Sequence, residues 1–328
     1  MIQSVTITNY LGSLDDNLAK KTNQNTVHIT LNEAEPSHGM LIESISGLGP
    51  AKATLNRTEL ATADGSLFNS AKLEERNLVM KLIFTEAKTI EDVRLLTYKY
   101  FPIKRNIIFS IKTDHRDARC IGYIESNEPD IFSPNEKANI SIICPDPYFY
   151  SNELGNSPHV ISFSGLDSEF EFEFDNNSLT EDLIEFGNIQ PVTTKVFSYD
   201  GDQEIGVTMT IDYIASVDTN FLVVHYKNPY NPNEPALQSE FLIQIEKLQA
   251  LMGTNFLEGD RVVVETRTGK EKITLLRDGI EYNILNTVSR DSDWFQLAKG
   301  TNQFVFSAYG NNSKLNFKVE NYVIYEGV

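Results

Sequence analysis

The chain has 328 residues, of which 41% are hydrophobic, and it carries 28 basic against 46 acidic side chains. This length exceeds one typical core and predicts two domains. The net charge of −18 repels the phosphate backbone and argues against a sequence-specific nucleic-acid partner. No run approaches the ~18 apolar residues of a membrane span, so no membrane partner is expected. The first residues lack the basic and apolar regions of a signal peptide, which predicts folding in a cytosol.

The acidic charge is concentrated in the second half of the chain. Residues 1–150 carry 16 basic and 19 acidic side chains, whereas residues 151–328 carry 12 and 27. We interpret the excess as a solvated acidic face that keeps the protein in solution. A surface past which DNA slides without sticking is the alternative interpretation.

The first half reads as several strands. Val5 and Ile7 alternate with polar neighbours, and residues 40–46 indicate another strand. Residues 47–53 contain glycine and proline and are expected to be irregular, and residues 64–70 read as a second loop. A further strand begins near Asn77, with four residues on one face: Leu78, Met80, Leu82 and Phe84.

A helix is predicted from Thr89 to Pro102. Thr89 and Asp92 have the spacing of a capping box, and Pro102 ends the helix. Apolar residues at helical spacing predict core packing and not a binding groove: Ile90, Val93, Leu96 and Tyr100. With strands at about 106–113 and 118–145, this half is predicted to be an α+β domain.

The two cysteines fall on the last of these hairpins. If its strands cover 118–126 and 137–145, Cys120 faces Cys144, Gly122 faces Ile142, and Ile124 faces Ile140. Two cysteines cannot build a disulfide framework, and the folding compartment is reducing. We therefore expect buried free thiols.

No catalytic, cofactor-binding or metal-binding residues are predicted. The sequence lacks a Walker loop, G-x-S-x-G, H-E-x-x-H and paired C-x-x-C motifs, and its five histidines lack metal-ligand spacing. His115 could take part in acid–base chemistry, but its neighbours indicate a charged hairpin turn. We expect a non-enzymatic protein without a cofactor.

Six segments of this half resemble the distal tail protein family of long-tailed (siphovirus-type) bacteriophages and prophages of Gram-positive bacteria. They keep the family's order and spacing: residues 47–50, 64–70, 75–77, 98–102, 120–125 and 144–149. The resemblance implies a virion structural protein whose N-terminal domain forms a ring of six subunits at the end of the tail tube.

The second half reads as β structure with one helix. Phe170, Phe172 and Phe174 alternate with glutamates, which predicts a strand with one wet face and not a metal site. Residues 228–235, rich in Asn and Pro around Tyr230, predict an exposed loop that could also contact carbohydrate or protein.

Apolar spacing predicts the helix of this half, from Phe241 to Met252, with Ser239 as its cap and Gly253 as its end. Strands are predicted at 206–214, 221–226, 261–265, 272–276, 303–308 and 315–325. Turns are expected at residues 268–270 and 277–279.

Further segments resemble the galectin-like β-sandwich that ends distal tail proteins: residues 259–262, 266–270, 276–279, 292–297, 299–302 and 325–327. The departure from the family is at Ala298-Lys299-Gly300, where the family often has proline before glycine. No sugar-binding residue can be carried over, and Trp294 is expected in the core.

The predicted fold is mainly β with one helix per domain: an α+β ring-forming domain, residues 1–148, then a galectin-like sandwich, residues 149–328. The segment 144–150, with two prolines and three aromatics, is the expected joint, whose aromatic residues would pack the two domains together.

The family resemblance implies a hub in the virion tail tip or baseplate, made in the host bacterial cytoplasm, through which DNA passes during ejection. Its implied partners are copies of itself in a homohexamer, the tail tube protein, the tail-tip hub or lysin protein, and receptor-binding proteins for host attachment. The alternative is an adhesin whose sandwich binds cell-wall glycans. A hydrolase without recognisable motifs is the third hypothesis.

Overall fold

The computed structural model describes residues 2–10, 26–31, 37–59, 64–85, 88–130, 136–152, 159–164, 194–229 and 237–328. The chain divides into two compact units. Unit 1 comprises Met1–Ser157 with Ile324–Val328, and unit 2 comprises Pro158–Val323. Unit 1 thus extends beyond residue 148 and also includes the last five residues of the chain. The division into functional domains at residue 148 stays a prediction.

The described residues of unit 1 form a large β-sheet, a two-stranded ribbon and one helix. In chain order, its strands before and after the helix are β1 Ile2–Tyr10, β2 Thr26–Thr30, β3 Met40–Ser46, β4 Ala53–Glu59, β5 Ser66–Leu73, β6 Arg76–Phe84, β7 Asn106–Thr113, β8 Asp117–Asp130, β9 Lys137–Cys144 and β10 Phe149–Ser151. The helix, α1, covers Ile90–Tyr100 and lies between β6 and β7 in the chain.

Unit 2 is β structure with a second helix. Its strands are β11 His159–Ser164, β12 Thr194–Tyr199, β13 Ile205–Gly206, β14 Thr208–Tyr213, β15 Phe221–Lys227, β16 Leu237–Ile243, β17 Arg261–Glu265, β18 Lys272–Arg277, β19 Ile280–Asn283, β20 Gln296–Leu297, β21 Gly300–Ser307 and β22 Leu315–Asn321. Its helix, α2, covers Ile245–Met252. A last strand, β23 Ile324–Tyr325, belongs to unit 1.

The sheet of unit 1 is antiparallel, with the order β2-β1-β7-β8-β9-β6-β3. β10 pairs with both β8 and β23. One face of the sheet forms the core: on β6, Leu78, Met80 and Leu82 are fully buried. The predicted alternation of this strand is confirmed, because period-2 spacing puts every second side chain on one face.

Helix α1 begins as predicted, but the residues that it buries differ from the predicted apolar stripe. The Thr89 hydroxyl accepts a hydrogen bond from the Asp92 amide, as a helix cap should. Val93 and Thr97 are fully buried, whereas Ile90 is 44% exposed, so the predicted core stripe is wrong at Ile90. Thr97 tolerates burial because its hydroxyl donates to the Arg94 carbonyl at 2.7 Å.

The pairing of β8 with β9 differs from the predicted one by two residues up to Ile124 and by three beyond Ser126. Ile124 faces Ile142, not Ile140, and the register shifts at an irregularity between Ile124 and Ser126. Because the shift up to Ile124 is an even number of residues, the predicted side chains of that part stay on the buried face. β8 also extends to Asp130, so the connection is shorter than expected.

The predicted loop at 64–70 is mostly strand. Residues 66–73 form β5, which pairs with β4 in a two-stranded ribbon. The error has a physical cause. Nearly every side chain of the ribbon is exposed, so the alternation that marks a half-buried strand is missing.

The described residues of unit 2 form three sheets, of which β13 with β20 is a small pair and the other two form a sandwich. One has the order β11-β22-β14-β17-β18-β19, and the other has the order β12-β21-β15-β16. Aromatic rings join the two inner faces: Phe317 of β22 lies 5.9 Å from Phe221 and 5.5 Å from Phe306, centroid to centroid. The predicted fold class, mainly β with an α+β unit and a sandwich, is confirmed.

Two local predictions in unit 2 have different outcomes. The helix α2 begins after Gln244, not at Ser239, because Phe241 is part of β16. It ends at Gly253 as predicted, with φ 71°. Asp278 and Gly279 both have positive φ, 52° and 77°, and join β18 to β19 in the two-residue turn that the Asp-Gly pair predicts.

Two predictions lie outside the described residues. They are the alternating Phe170–Phe174 strand and residues 230–235 of the exposed loop. Trp294 is described and is half-buried, with its ring edge-on to Phe241 at 5.4 Å. The fully packed aromatic of that segment is Phe295, which is 2% exposed.

Candidate assembly interface

The described residues hold no group of three His, Cys, Asp or Glu side chains that could bind a metal ion. His115 lies in the turn between β7 and β8, where its amide donates to the Thr113 hydroxyl. His38 bonds through both ring nitrogens to the backbone, at Thr30 and Met40. The geometry of these two histidines indicates structural roles.

Arg76, which belongs to the resemblance segment 75–77, is the centre of a buried hydrogen-bond network in unit 1. It is 2% exposed, and its guanidinium donates to four backbone carbonyls. The acceptors are Gly47, Gly49, Pro147 and Glu326. These carbonyls come from three separate motif segments, and Arg76 itself belongs to a fourth, so one cation holds them together.

The last residues of the chain are bound by further contacts of unit 1. Phe149 pairs with Tyr325, and the Arg76 guanidinium lies 4.3 Å above the Phe149 ring. Arg116 donates to the Gly327 carbonyl and lies 4.4 Å above the Tyr325 ring. These contacts place the motif residues of the joint within unit 1.

Two glycines of these motifs have steric reasons to be glycine. Gly47 has φ 87°, and a Cβ there would lie 2.1 Å from the Asn77 carbonyl oxygen. A Cβ on Gly327 would lie 2.9 Å from the Leu48 carbonyl oxygen. The resemblance segments 47–50, 75–77, 144–149 and 325–327 therefore encode one packing arrangement and not a chemical site.

The exposed ribbon, β4 with β5, is the best candidate for an interface. Leu55 is 60% exposed, Leu67 55% and Phe68 67%. An isolated two-stranded ribbon is marginally stable in water, and exposed apolar side chains at such a site indicate a contact surface. A cavity of about 580 Å³ opens at the base of the ribbon, lined by Thr54, Asn56, Lys72, Leu73, Glu74, Glu75 and Pro145.

A second exposed apolar surface lies on α1 and just after it. Leu95 is 52% exposed, Tyr98 41% and Ile103 47%, together with Ile90. Arg94 and Glu91 form an ion pair on the same helix. Sequence reasoning missed both surfaces, because helical or alternating patterns report the core-facing side of an element and not the side that meets a partner.

The motif residues of unit 2 also form buried networks. Arg277 makes two hydrogen bonds to the Asp260 carboxylate, at 2.8 and 2.6 Å, and it also bonds to Thr254 and Asn255. Asp260 is 2% exposed and accepts the Leu257 amide as well. The pair joins the loop before β17 to the end of β18.

Asn302 organises a second buried network in unit 2. Its side chain bonds to the backbone of Ala298 and Gly300 and to the His225 ring, whose Nε2 lies 3.0 Å from the Asn302 Oδ1. The His225 ring packs against the Phe295 and Phe304 rings, which also pack against each other. Burial, as the largest cause, lowers the pKa of His225 to about 4, so the ring is neutral at pH 7.

None of the described helices is both long and apolar enough to cross a bilayer. Residues 232–320 match the family model of the siphovirus-type tail component, C-terminal domain. Over these residues the chain is similar to the C-terminal domain of siphovirus-type tail components. The family resemblance predicted from the sequence is thereby confirmed.

Solved structures show a matching fold. The crystal structure of phage SPP1 Dit (gp 19.1), described as a paradigm of hub adsorption apparatus in Gram-positive infecting phages, has a TM-score of 0.55 at 11% identity. The likeness covers 89% of this chain and 97% of that chain. At this identity it concerns the fold alone.

Two structures of the phage P2 baseplate in its activated conformation, with Ca and with Sr, match at 11% identity. Their TM-scores are 0.42 and 0.41, covering 98% and 97% of both chains, values too low to establish a shared fold. No curated protein sequence matches the chain.

Proposed function

We propose that this chain is the distal tail protein of a siphovirus-type tail: a hexameric ring that joins the tail tube to the tip or baseplate. DNA would pass through the ring during ejection, and the outer domains would carry host-attachment proteins. The observation that carries this proposal is the tail-component match at residues 232–320. The fold likeness to SPP1 Dit over most of the chain supports it.

The exposed ribbon supplies a contact surface for the ring. A monomer would leave Leu55, Leu67 and Phe68 in water, and because Leu67 and Phe68 lie on opposite faces of the ribbon, covering both takes contacts on both faces. The occupant we propose is therefore a second copy of this chain, with the cavity at the ribbon's base completing the contact.

The charge distribution favours a ring made by the first half of the chain. Six copies of residues 1–150 bring together segments with a net charge of only −3 each. Residues 151–328 carry −15 each, so their copies repel one another and are expected to stay apart. This matches a ring of N-terminal domains with the acidic domains directed outward.

The virion location, the tube, hub and receptor-binding partners, and the absence of enzymatic activity follow from this proposal. The glycan-binding alternative rests on the loop 228–235, of which the structure describes Asn228 and Pro229. It stays a prediction, and binding of unit 2 to purified host cell walls or glycan arrays tests it.

Native mass spectrometry and electron microscopy of the full chain, alone and with the tail tube protein, test the ring. We expect a sixfold multiple of the 37.1 kDa chain mass. Phe68→Asp should abolish this species and leave a folded monomer. Ile280→Asp, a substitution at a residue of unit 2 that is 55% exposed, is the matched control and should keep the ring.

A protein that stays monomeric at high concentration and with the tube protein would refute the proposal. A hexamer that survives Phe68→Asp would refute the ribbon's part in it and leave the ring itself standing. The two failures are therefore distinguishable.

A further inference from the structure

The two cysteines of the chain meet in the core of unit 1. Cys120 lies on β8 and Cys144 ends β9, and their Sγ atoms are 3.7 Å apart. The side chains are 1% and 0% exposed, and both are free thiols. The separation corresponds to two sulfur atoms in contact.

Gly122 makes this contact possible. The β8–β9 register pairs Tyr123 with Ile143, so the next residues along, Gly122 and Cys144, lie across from each other. A Cβ on Gly122 would lie 2.8 Å from the Cys144 Sγ and 2.4 Å from an Ile142 methyl carbon. Because this Cβ is absent, the Cys144 sulfur can lie over the glycine and reach Cys120, two residues away on the same face.

The remaining movement is small. A disulfide requires a sulfur–sulfur distance of about 2.05 Å. Closing the gap from 3.7 Å requires side-chain rotation and a strand movement of about 1 Å, because diagonal neighbours in a sheet lie about 7–8 Å apart and the Cα atoms of a disulfide lie about 4.4–6.8 Å apart. Two apolar side chains could fill the same space, but they could not form a disulfide.

A buried cation lies beside the pair. Arg76 of β6 is the cross-strand partner of Cys144, and its charge favours the thiolate form of Cys120. Burial, followed by the hydrogen bond to Cys144, has the larger and opposite effect and raises the pKa of Cys120. Since the thiolate is the nucleophile, the thiols should react slowly while the sheet is closed.

We propose that Cys120 and Cys144 form an oxidisable dithiol that closes to a disulfide under oxidising conditions. The oxidant is a small-molecule disulfide. One thiolate attacks it, forming a mixed disulfide and releasing one small thiol. The second cysteine then attacks the mixed disulfide, and the other small thiol leaves with the second proton. One sulfur–sulfur bond is broken in the reagent and one is formed in the protein.

The consequence is a covalent tie between two central strands of the sheet. It constrains the unfolded chain across the 24 positions that separate the two residues. The proposal is independent of the proposed function, because it rests on the geometry of unit 1 alone.

The test uses the full chain equilibrated in native buffer with oxidised and reduced glutathione. After denaturation and alkylation, intact mass spectrometry distinguishes the products. Because the chain has only two cysteines, each mass is unambiguous. We expect a species that has lost two hydrogen atoms and takes up no alkylating reagent, with a higher unfolding midpoint that dithiothreitol reverses.

Cys120→Ala and Cys144→Ala are the matched controls. Each should retain one cysteine that alkylates or takes up one glutathione, and neither should gain stability under oxidising conditions. The proposal is overturned if the wild-type chain keeps two alkylatable thiols, or if it takes up two separate glutathione molecules, after equilibration.

Discussion

Replacing Arg76 with alanine is the sharpest test of how unit 1 is held together. The guanidinium is 2% exposed and serves four carbonyls from distant segments. A hydrogen bond to a charged donor contributes about 1.5–3 kcal/mol, and an unsatisfied buried acceptor costs about 1–3 kcal/mol. These contributions are not additive, and breaking a buried hydrogen-bond network lies at the upper end of single-substitution effects, at about 3–5 kcal/mol. We expect that loss in the unfolding free energy of unit 1.

Scanning calorimetry is the appropriate assay, because two units can unfold in separate transitions. Arg76→Ala should lower the transition of unit 1 and leave that of unit 2 in place. Amide exchange should show faster exchange at Val328, whose amide donates to the Leu48 carbonyl. Arg76→Lys should recover part of the loss, since an ammonium group has three donors but lacks the planar fork.

The control is Arg105→Ala, which removes an exposed arginine of the same unit. It should change the unfolding free energy by no more than about 0.5 kcal/mol. If Arg76→Ala behaves like Arg105→Ala, the buried network does not stabilise unit 1, and the motif segments must be held together by other contacts.

Three further outcomes are expected. The pKa of His225 is about 4 in the folded state and 6.5 in the unfolded state, so unit 2 has its full stability above pH 6.5 and loses about 3 kcal/mol as the pH falls through 4. Urea titration at pH 7 and at pH 4 measures this loss of unfolding free energy, and His225→Gln should make the loss smaller. Arg277→Ala should destabilise unit 2 by about 3–5 kcal/mol, because the buried Asp260 carboxylate loses its partner; an unchanged urea midpoint would contradict this. Joining residue 152 to residue 324 through a short Gly/Ser linker should leave unit 1 folded, since both ends lie on or beside paired strands; a chain without cooperative unfolding would refute it.

Local rules account for the parts of the fold that the sequence predicts well. The Thr89 cap, the alternating face of β6 and the Asp278-Gly279 turn each depend on residues a few positions apart. Backbone geometry alone ties such spacings to structure, so a single sequence suffices. Apolar spacing places the start of α2 too early because Phe241, which is fully buried in β16, continues the helical pattern by chance.

The candidate interface could not be predicted in the same way. The Arg76 network joins residues as far apart as 250 positions, and no periodic pattern reports such a contact. The exposed ribbon resembles a loop in sequence because neither of its faces is buried. An available signal was Leu67 and Phe68, two large apolar residues amid small and polar ones, in a segment with no core of its own.

The pairing of β10 with β23 has a consequence for synthesis. A ribosome makes residues 1–152 first, then the whole of unit 2, and only then the strand that pairs with Phe149 and Tyr150. The hydrogen bond from Arg76 to the Glu326 carbonyl also cannot form until the end of the chain has been made. Unit 1 therefore cannot complete its sheet until unit 2 has emerged. We expect chains interrupted before residue 324 to carry an unfinished unit 1.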